Sequence, residues 1–379
     1  MAALTPRERV NTALNHREPD RVPIDIGGIA STIDANGYKA LVNYLGMDEE
    51  LQREDLKDTS NTLIPCEEIL ERFGVDTRVL GAASPQEVRR QIDDKARIDE
   101  WGVEWARAED GNYMNKKGPF QGKEITVADL ERHVWPDAGN PARVDGIAEK
   151  ARRLHEETEF AIVVSLGNSM VALCQRLRGF GEWMEDLVMN PLVAEALLEH
   201  VTNVNVTFAR AVLDQVGPYV DIVSFGDDLG FQERPYMRPE LYREKVKPFH
   251  RRLVDAIKSK TDAKVVMHSD GSIYKLIPDL IDTGIDGINP VQVSATDMDS
   301  KRLKAEFGDS LCFWGGIDTQ HVLPFGSPDD VVAEVQERIS HLAPGGGYVL
   351  ATVHTMRPEV PPANMVAMYE SALMYGVYR

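Results

Sequence analysis

Short runs rich in Val, Ile and Phe alternate with longer amphipathic stretches along most of this chain, and this alternation constrains its fold more than any other sequence feature. Alternating strand and helix patterns indicate a parallel sheet, because parallel neighbours must be joined by a long crossover that is usually a helix. Strands are predicted at residues 22–26, 77–80, 160–165, 221–225, 264–268, 286–290, 311–315 and 347–351. Helices are predicted at residues 151–157, 180–189, 192–216, 239–258, 273–282, 301–307, 329–341 and 364–375.

This pattern predicts one (β/α)8 TIM barrel with an N-terminal extension, forming a single domain over residues 1–379. A doubly wound sheet has the same local pattern and is the alternative fold. Residues 102–120 have the pattern of an aromatic-bearing hairpin with Asp110-Gly111 at its turn. We therefore interpret residues 81–150 as an insertion, which in a barrel stands on the loop face and forms a wall or lid of the active site.

The charge balance restricts the partners that the chain can have. It has 42 basic and 61 acidic residues and a net charge of −19, whereas a nucleic-acid surface needs clustered Lys and Arg. No apolar segment reaches the ~20 residues of a spanning helix, and the charged N-terminus lacks the apolar core of a secretory signal. Three widely spaced cysteines without a CxxC motif favour a reducing cytoplasm. We expect a small-molecule substrate and a protein partner, and neither nucleic acid nor membrane.

In a barrel, catalytic side chains gather in the loops that follow the strands. His268 ends the fifth predicted strand, Asp270 follows two residues later, and His354 follows the last strand. Two imidazoles and a carboxylate suit zinc, whereas without a metal one histidine would act as a general acid or base. Taken alone, His268 and Asp270 fit equally well a packed histidine and a capping aspartate. The barrel topology predicts that His268 and His354 share one central pocket.

Other polar residues also follow predicted strands. Asp227 and Asp228 lie in G-D-D-L-G, where repulsion between the carboxylates predicts a cation or a hydrogen-bond donor nearby, unless one aspartate is a cap and the other is solvated. Asn289 and Gln292 offer neutral hydrogen bonds to a substrate. Asp318 follows a glycine pair that lets backbone approach a ligand, although a helix cap is the alternative. Further strand-end residues are Asp25, Asn168 and Ser169.

Several motifs together resemble those of the uroporphyrinogen decarboxylase superfamily: D-R-V-P-I-D, G-D-D-L-G, H-S-D-G, W-G-G-I-D-T-Q and P-P-A-N-M. The chain is more similar to the methyltransferase branch, whose members move methyl groups to or from corrinoid proteins. The resemblance covers nearly the whole chain and implies a (β/α)8 barrel. The R-Q-A-G-R-Y segment that binds porphyrinogen in the decarboxylases is replaced here by D-I-G-G-I-A-S-T-I, so porphyrinogen decarboxylation is not expected.

The resemblance also implies a metal site. The thiol-methylating members of the branch bind zinc through an H-x-C element and a later cysteine. His268-Ser269-Asp270 stands at the first element and His354 lies near the second, so His268 and His354 are implied as metal ligands. A Lewis-acid metal or a positioned acid would stabilise the basic leaving group of a methyl ether or amine.

The leading hypothesis is a corrinoid-dependent methyltransferase that acts on a small methoxylated or methylamine-type compound, with a corrinoid protein as its partner. Asp228, His268 and Asp270 are interpreted as catalytic, and Asp227, Asn289, Gln292 and Asp318 as substrate-binding. Two alternatives stay open: a decarboxylase or lyase acting on a small carboxylic acid without metal, and a noncatalytic barrel that binds a corrinoid or small ligand. A homodimer is compatible with each of these hypotheses.

Overall fold

The computed structural model describes residues 3–48, 60–81, 90–109, 111–168 and 170–378, with Asn168 described in its backbone only. The strands in this part of the chain are β1 (Ile33–Asp34), β2 (Thr62–Leu63), β3 (Thr77–Gly81), β4 (Arg90–Asp93), β5 (Ala96–Ile98), β6 (Glu104–Arg107), β7 (Tyr113–Lys117), β8 (Ala161–Asn168), β9 (Ile222–Gly226), β10 (Lys264–His268), β11 (Gly287–Asn289), β12 (Cys312–Trp314) and β13 (Tyr348–Val349).

The helices described are α1 (Pro6–Leu14), α2 (Ala35–Leu45), α3 (Glu67–Arg72), α4 (Val127–Glu131), α5 (Ile147–Glu157), α6 (Met170–Arg178), α7 (Phe180–Met189), α8 (Pro191–Val216), α9 (Pro239–Lys245), α10 (Lys247–Lys258), α11 (Ile277–Asp282), α12 (Ser300–Phe307), α13 (Val322–Phe325), α14 (Pro328–Leu342) and α15 (Pro362–Tyr375). Short 3-10 helices lie at Pro141–Arg143, Gly217–Tyr219 and Tyr274–Leu276.

Seven strands form one parallel sheet in the order β3, β8, β9, β10, β11, β12 and β13. Each strand pairs in parallel with the next one along the sheet, and helices connect most of these strands. The strands are rich in buried Val, Ile and Phe because both faces of the sheet are covered. All carboxyl ends of the strands lie at one edge, and the loops that follow them therefore meet there.

The first predicted strand, residues 22–26, does not form a regular strand but bonds to both edges of this sheet. The Leu350 N–H, just after β13, donates to the Pro23 carbonyl at 2.9 Å, and the Asp25 N–H donates to the Leu350 carbonyl at 3.0 Å. On its other side, the Asp76 N–H, just before β3, donates to the Ile24 carbonyl at 2.8 Å. Residues 22–26 thus lie between the first and last strands of the sheet.

Buried side chains on one face of the sheet form a small cluster that includes Val163, Ile222, Val266 and Trp314. Helix α1 adds Val10 and Leu14 to this cluster. A Thr5 capping box and Pro6 start the helix, so its first turn is stabilised by local hydrogen bonds. The α1 Asn11 amide donates to Asp221 Oδ1 at 2.8 Å, which ties α1 to the residue before β9. Helix α1 therefore packs against the sheet as part of the N-terminal extension.

A separate antiparallel sheet, β4 to β7, lies within the segment predicted to be an insertion. Its last two strands form the hairpin predicted at residues 102–120, with Trp105 opposite Asn115 and Arg107 opposite Tyr113. The first two strands are not predicted, because R-Q-I-D and A-R-I are too short and polar to give a strand signal. Asp110, expected at the hairpin turn, lies outside the described residues.

The predicted helix at residues 239–258 is wrong as one continuous element, since α9 ends at Lys245 and α10 begins at Lys247. Pro248 has no N–H to continue the hydrogen-bond ladder, and its ring disfavours helical geometry before it. The proline is instead accommodated in the first turn of α10. Among the described residues, no helix is long and apolar enough to cross a membrane.

Candidate functional site

Three side chains meet at the carboxyl end of the sheet: His268, Asp270 and His354. One ligand atom from each lies within 4.8 Å of the others. The Asp270 Oδ2 atom is 3.8 Å from His268 Nε2 and 3.9 Å from His354 Nε2. The two imidazole rings have centroids 5.8 Å apart. The structure therefore brings the two histidines into one site, although 86 positions separate them by number.

His268 is held in one orientation by its neighbouring strand. It is the last residue of β10, and its Nδ1 lies 2.6 Å from Asn289 Oδ1 at the end of β11. The Asn289 amide nitrogen in turn donates to the Trp314 carbonyl at 3.3 Å, so the amide oxygen faces the histidine. Nδ1–H must be the donor to this oxygen, which leaves the Nε2 lone pair available for a ligand.

Asp270 lies in a tight turn, where Gly271 has φ +88. The Gly271 N–H donates to Gln292 Oε1 at 2.6 Å, and this hydrogen bond fixes the turn. Asp270 Oδ1 is buried and has no hydrogen-bond partner within the described part of the chain. Burying a carboxylate oxygen without a hydrogen-bond donor lowers the stability of the folded state, unless a cation or a ligand binds to that oxygen.

His354 stands at the open side of the site, with 49% of its side chain exposed. It follows the bridge that Thr352 forms with Ile317, beyond the end of β13. Partial burial lowers the pKa of His354, and the Asp270 carboxylate opposes this shift while the neighbouring His268 adds to it. The neutral imidazole, which is the metal-binding form, is thereby favoured.

Asp228 borders the three side chains. Its Oδ1 accepts the Asp270 N–H at 3.1 Å and lies 3.8 Å from His268 Nε2. The Asp228 side chain is 43% exposed, so it is the carboxylate next to the histidines that remains open to a ligand and to water.

Asp227, expected to bind substrate, lies beneath the site and bonds to protein on all sides. Its two oxygens accept the Val171 and Ala172 N–H groups at 2.8 and 2.7 Å, which caps the start of α6. Oδ2 also lies 2.8 Å from His250 Nε2. The Asp227 side chain is fully buried, so its geometry fits a positioning role and not direct substrate contact. Asp227 is therefore a helix cap and Asp228 is the exposed member of the pair, which is the alternative that the sequence analysis left open.

Asn289 and Gln292, also expected to bind substrate, are buried and have protein partners. Asn289 orients His268, as described above, and the Gln292 amide nitrogen donates to Gln232 Oε1 at 2.9 Å. Both amides therefore support the site from behind and do not face its opening. The side chain of Asn168 and all of Ser169 lie outside the described residues.

Asp318, the fourth residue expected to bind substrate, lies in a different place. Its oxygens accept the Gln320 N–H at 2.7 Å and face His321 Nδ1 at 3.0 Å. Asp318 also lines a cavity of about 580 Å³, together with residues that include Val293 and Arg338 and none of the three clustered side chains. Asp318 is thus not brought together with the histidines.

Arg176 connects the inserted sheet with the aspartates. Its guanidinium lies 5.4 Å from the centre of the Trp105 ring on β6. Burial lowers the pKa of Arg176, while Asp228, Asp99 and Asp227 oppose the shift, so these carboxylates lie within electrostatic reach of it. Sequence reasoning missed Arg176 and His250, because each lies in a helix and its partner cannot be inferred from spacing. Arg176 lies in the last turn of α6, after the apolar run M-V-A-L-C, and this position is the one signal that the sequence offered.

The donor set fits zinc. Zinc in proteins takes imidazole nitrogen and carboxylate oxygen, and a tetrahedral ion with bonds of about 2.0–2.1 Å places its ligands about 3.4 Å apart. The contacts of 3.8 and 3.9 Å between Asp270 and the two histidines are close to this spacing. Two further features are typical of a metal site: Asn289 orients the ligand histidine His268, and one buried oxygen of Asp270 has no hydrogen-bond partner within the described residues.

A parallel α/β sheet that gathers histidines and carboxylates at the carboxyl ends of its strands has the arrangement in which α/β enzymes build their sites in strand-end loops. The uroporphyrinogen decarboxylase (URO-D) family profile matches residues 110–375, and the chain belongs to this family.

The individual relatives include a member of the methyltransferase branch inferred from the motifs and also a decarboxylase. The methylcobamide:CoM methyltransferase MtbA of Methanosarcina acetivorans is 27% identical over 243 residues, which are 62% of this chain and 65% of that protein. A uroporphyrinogen decarboxylase of Chlorobium phaeobacteroides is 25% identical over 184 residues, 48% of each protein. The matches thus span less than two thirds of these relatives. A solved methyltransferase structure from Methanosarcina mazei shares the fold, with a TM-score of 0.66 over 98% of this chain and 99% of that chain at 18% identity.

Proposed function

We propose that this chain is a cobamide-dependent methyltransferase that moves a methyl group between a small methylated compound and a corrinoid carried by a partner protein. The observation that carries the proposal is the meeting of His268, Asp270 and His354 at the carboxyl end of the sheet. The similarity to MtbA over more than half of the chain supports the same reaction class.

The proposal includes a closed (β/α)8 barrel, with residues 22–26 as its first member. Backbone hydrogen bonds on both sides of this segment support closure. The buried Asp25 carboxylate adds side-chain bonds in the same place: Thr77 Oγ1 on β3 and Trp314 Nε1 on β12 both donate to it. A closed ring directs the ends of the fifth and eighth members toward one mouth, which is where the histidines meet.

His268, Asp270 and His354 are the residues that would hold zinc. When bound, zinc supplies a Lewis acid that stabilises negative charge on the atom from which the methyl group departs. Asn289 keeps the His268 Nε2 atom directed at the site, and Gln292 keeps the Asp270 turn in place. These two amides therefore serve the proposed site without touching the substrate.

Asp228 is the group placed to handle the proton of the reaction. In demethylation of a donor, the bond between the methyl carbon and the donor heteroatom breaks and a bond from that carbon to the corrinoid cobalt forms. The heteroatom keeps the electron pair and takes up one proton. The half-exposed Asp228 carboxylate, 3.8 Å from His268 Nε2, can relay this proton from water.

The inserted sheet would form one wall of the mouth. Its Trp105 contacts Arg176, whose charge lies near Asp228, so the insertion reaches the edge of the site. A corrinoid protein docking over the strand-end loops would then meet both the barrel and the insertion.

A methyl-transfer assay tests this proposal. Zinc-loaded protein, reduced cobalamin and a panel of methyl ethers and methylamines are mixed, and the absorbance change of the corrinoid reports methylation. We expect wild-type activity with at least one donor, and a loss of about 100-fold or more in Asp228→Asn at unchanged zinc content. The matched control Asp329→Asn, at an exposed aspartate on α14, should leave the rate unchanged.

A decarboxylase acting on another small acid is the second candidate, favoured by the family profile and by the uroporphyrinogen decarboxylase relatives. Release of carbon dioxide from candidate acids without any corrinoid, combined with no methyl transfer from the donor panel, would replace the methyltransferase proposal.

A further inference from the structure

Three aromatic side chains form a surface next to the proposed metal site, and we call Phe180, Phe231 and Tyr236 the aromatic rim. The ring centroids of Phe231 and Tyr236 are 4.5 Å apart, those of Phe180 and Tyr236 are 5.2 Å apart, and those of the two phenylalanines are 5.7 Å apart. Phe180 is 41% exposed and Phe231 is 39% exposed. A cluster of large exposed apolar rings often marks a binding site, because the exposure of such rings to water is unfavourable.

The rim is a rigid surface because its loop is a hydrogen-bonded turn. The Phe231 N–H donates to the Arg234 carbonyl at 2.8 Å, and the Tyr236 N–H donates to the Leu229 carbonyl at 2.7 Å. This turn follows directly from the G-D-D-L-G motif after β9. Phe231 and Tyr236 therefore keep their positions relative to Asp228.

The same turn is fastened to the loop that carries Asp270. The Ser272 N–H donates to the Phe231 carbonyl at 2.8 Å. Gly230 and Gly271 pack so closely that a Cβ atom on Gly271 would lie 2.3 Å from the Gly230 oxygen. The aromatic rim thus begins at Phe231, a residue whose own backbone is hydrogen-bonded to the loop of Asp270.

Tyr236 lies within electrostatic reach of the carboxylates of the site. Burial raises the pKa of Tyr236 to about 12, with further contributions from Asp228 and Asp270. The phenol therefore stays protonated at neutral pH. Within the described ranges, its hydroxyl has no hydrogen bond to another residue. A free hydroxyl at the junction of the rings and the carboxylates is available to a bound molecule.

The arrangement of the rings discriminates between ligand classes. The three rings contact one another edge to face, so they leave no gap of the kind in which aromatic cages hold a quaternary ammonium group. They offer instead an outer surface on which a flat ring can pack by stacking or edge contact. An aryl ether also suits the chemistry, because its leaving group is a phenolate, which is a much weaker base than hydroxide. The pKa of a phenol is about 10, whereas the pKa of water is about 15.7.

We propose that the aromatic rim binds the ring of the methyl donor, so that the donor is a methoxylated arene whose methoxy group reaches the site of His268, Asp270 and His354. This inference deepens the proposed function and rests on it for the methyl-transfer step. The methyl–oxygen bond breaks, the methyl group passes to the corrinoid of the partner, and the phenolate oxygen takes one proton to become a phenol.

Binding of 2-methoxyphenol to zinc-loaded protein without any corrinoid tests the rim separately from turnover. Isothermal titration calorimetry is run on wild type, Phe180→Leu, Phe231→Leu and the double variant, with dimethyl ether and tetramethylammonium as competing probes. We expect 2-methoxyphenol to bind, and each single variant to weaken it by about twofold to tenfold, since an aromatic pair contributes about 0.5–1.5 kcal/mol. Phe231→Tyr should retain binding.

The control variant is Phe325→Leu, which removes an exposed phenylalanine on α13 that is 78% exposed and outside the rim. It should bind 2-methoxyphenol as wild type does, and the thermal midpoint of each variant verifies folding.

Equal affinity in the double variant and wild type would overturn the inference, as would preference for tetramethylammonium over the arene. If the protein binds zinc and methylates cobalamin from a non-aromatic donor but does not bind 2-methoxyphenol, the rim inference fails and the proposed function stands. If the protein binds 2-methoxyphenol through the rim but binds no zinc, the rim is a binding site for the arene and the proposed function fails.

Discussion

Replacing Asp227 with alanine tests whether this carboxylate supports the site or contacts a ligand. The change removes the acceptor of two α6 N–H groups at 2.8 and 2.7 Å and of His250 Nε2 at 2.8 Å. His250 is fully buried, and its other nitrogen is 2.9 Å from the Tyr242 hydroxyl, so it cannot turn toward water.

The expected loss follows from these contacts. Removing a helix cap costs about 1 kcal/mol, and removing the charged partner of a buried hydrogen bond costs about 2 kcal/mol. We therefore expect Asp227→Ala to lower the free energy of unfolding by about 3 kcal/mol. Asp227→Asn keeps one acceptor oxygen and should lose less.

Urea unfolding followed by circular dichroism measures this loss. The matched control is Asp228→Ala, in which the half-exposed neighbour loses a single hydrogen bond from the Asp270 N–H. We expect the control to lose less than about 1.5 kcal/mol. If Asp227→Ala were as stable as wild type but bound the methyl donor much more weakly, the positioning role of Asp227 would be refuted.

Three further predictions concern the orientation of His268, a buried glutamate on α14 and the turn that carries Asp270. Asn289→Ala should weaken zinc binding about 10- to 100-fold in a chelator competition, because the ligand nitrogen of His268 loses its orienting partner. Burial raises the pKa of Glu334 to about 7 from an ordinary 4.5, so its contribution to stability is present below about pH 4.5 and is lost as the pH rises through about 7. Glu334→Gln should remove this pH dependence, about 3 kcal/mol in unfolding measurements between about pH 5 and about pH 8. Gly271→Ala, at φ +88 and with its Cβ 2.3 Å from a backbone oxygen, should cost at least about 1–3 kcal/mol. Gly122→Ala, at φ +77 in open space, should cost less, and thermal unfolding compares the two.

The sequence predicted the strands well because their signal is local. Runs such as V-V-M-H and I-V-S-F are apolar on both faces, as a sheet covered on both sides requires, and β9 and β10 lie where they were expected. A barrel built from eight such segments would place the ends of its fifth and eighth members at one mouth. The meeting of His268 and His354 could therefore be predicted although they are remote in sequence.

Other parts of the site depend on tertiary packing and could not be predicted. Whether Asp227 or Asp228 faces the mouth depends on which carboxylate meets the start of α6 and His250, and nothing in G-D-D-L-G distinguishes them. The aromatic rim unites Phe180, the first residue of α7, with Phe231 in the loop after β9, and only tertiary packing brings them together.

Zinc content and metal coordination of the purified protein test the central claim most directly. Elemental analysis should find one zinc per chain in wild type, with nitrogen and oxygen neighbours in X-ray absorption, and little zinc in the variant carrying both His268→Ala and His354→Ala. Stoichiometric zinc in that double variant, or sulfur neighbours in wild type, would contradict the proposed site.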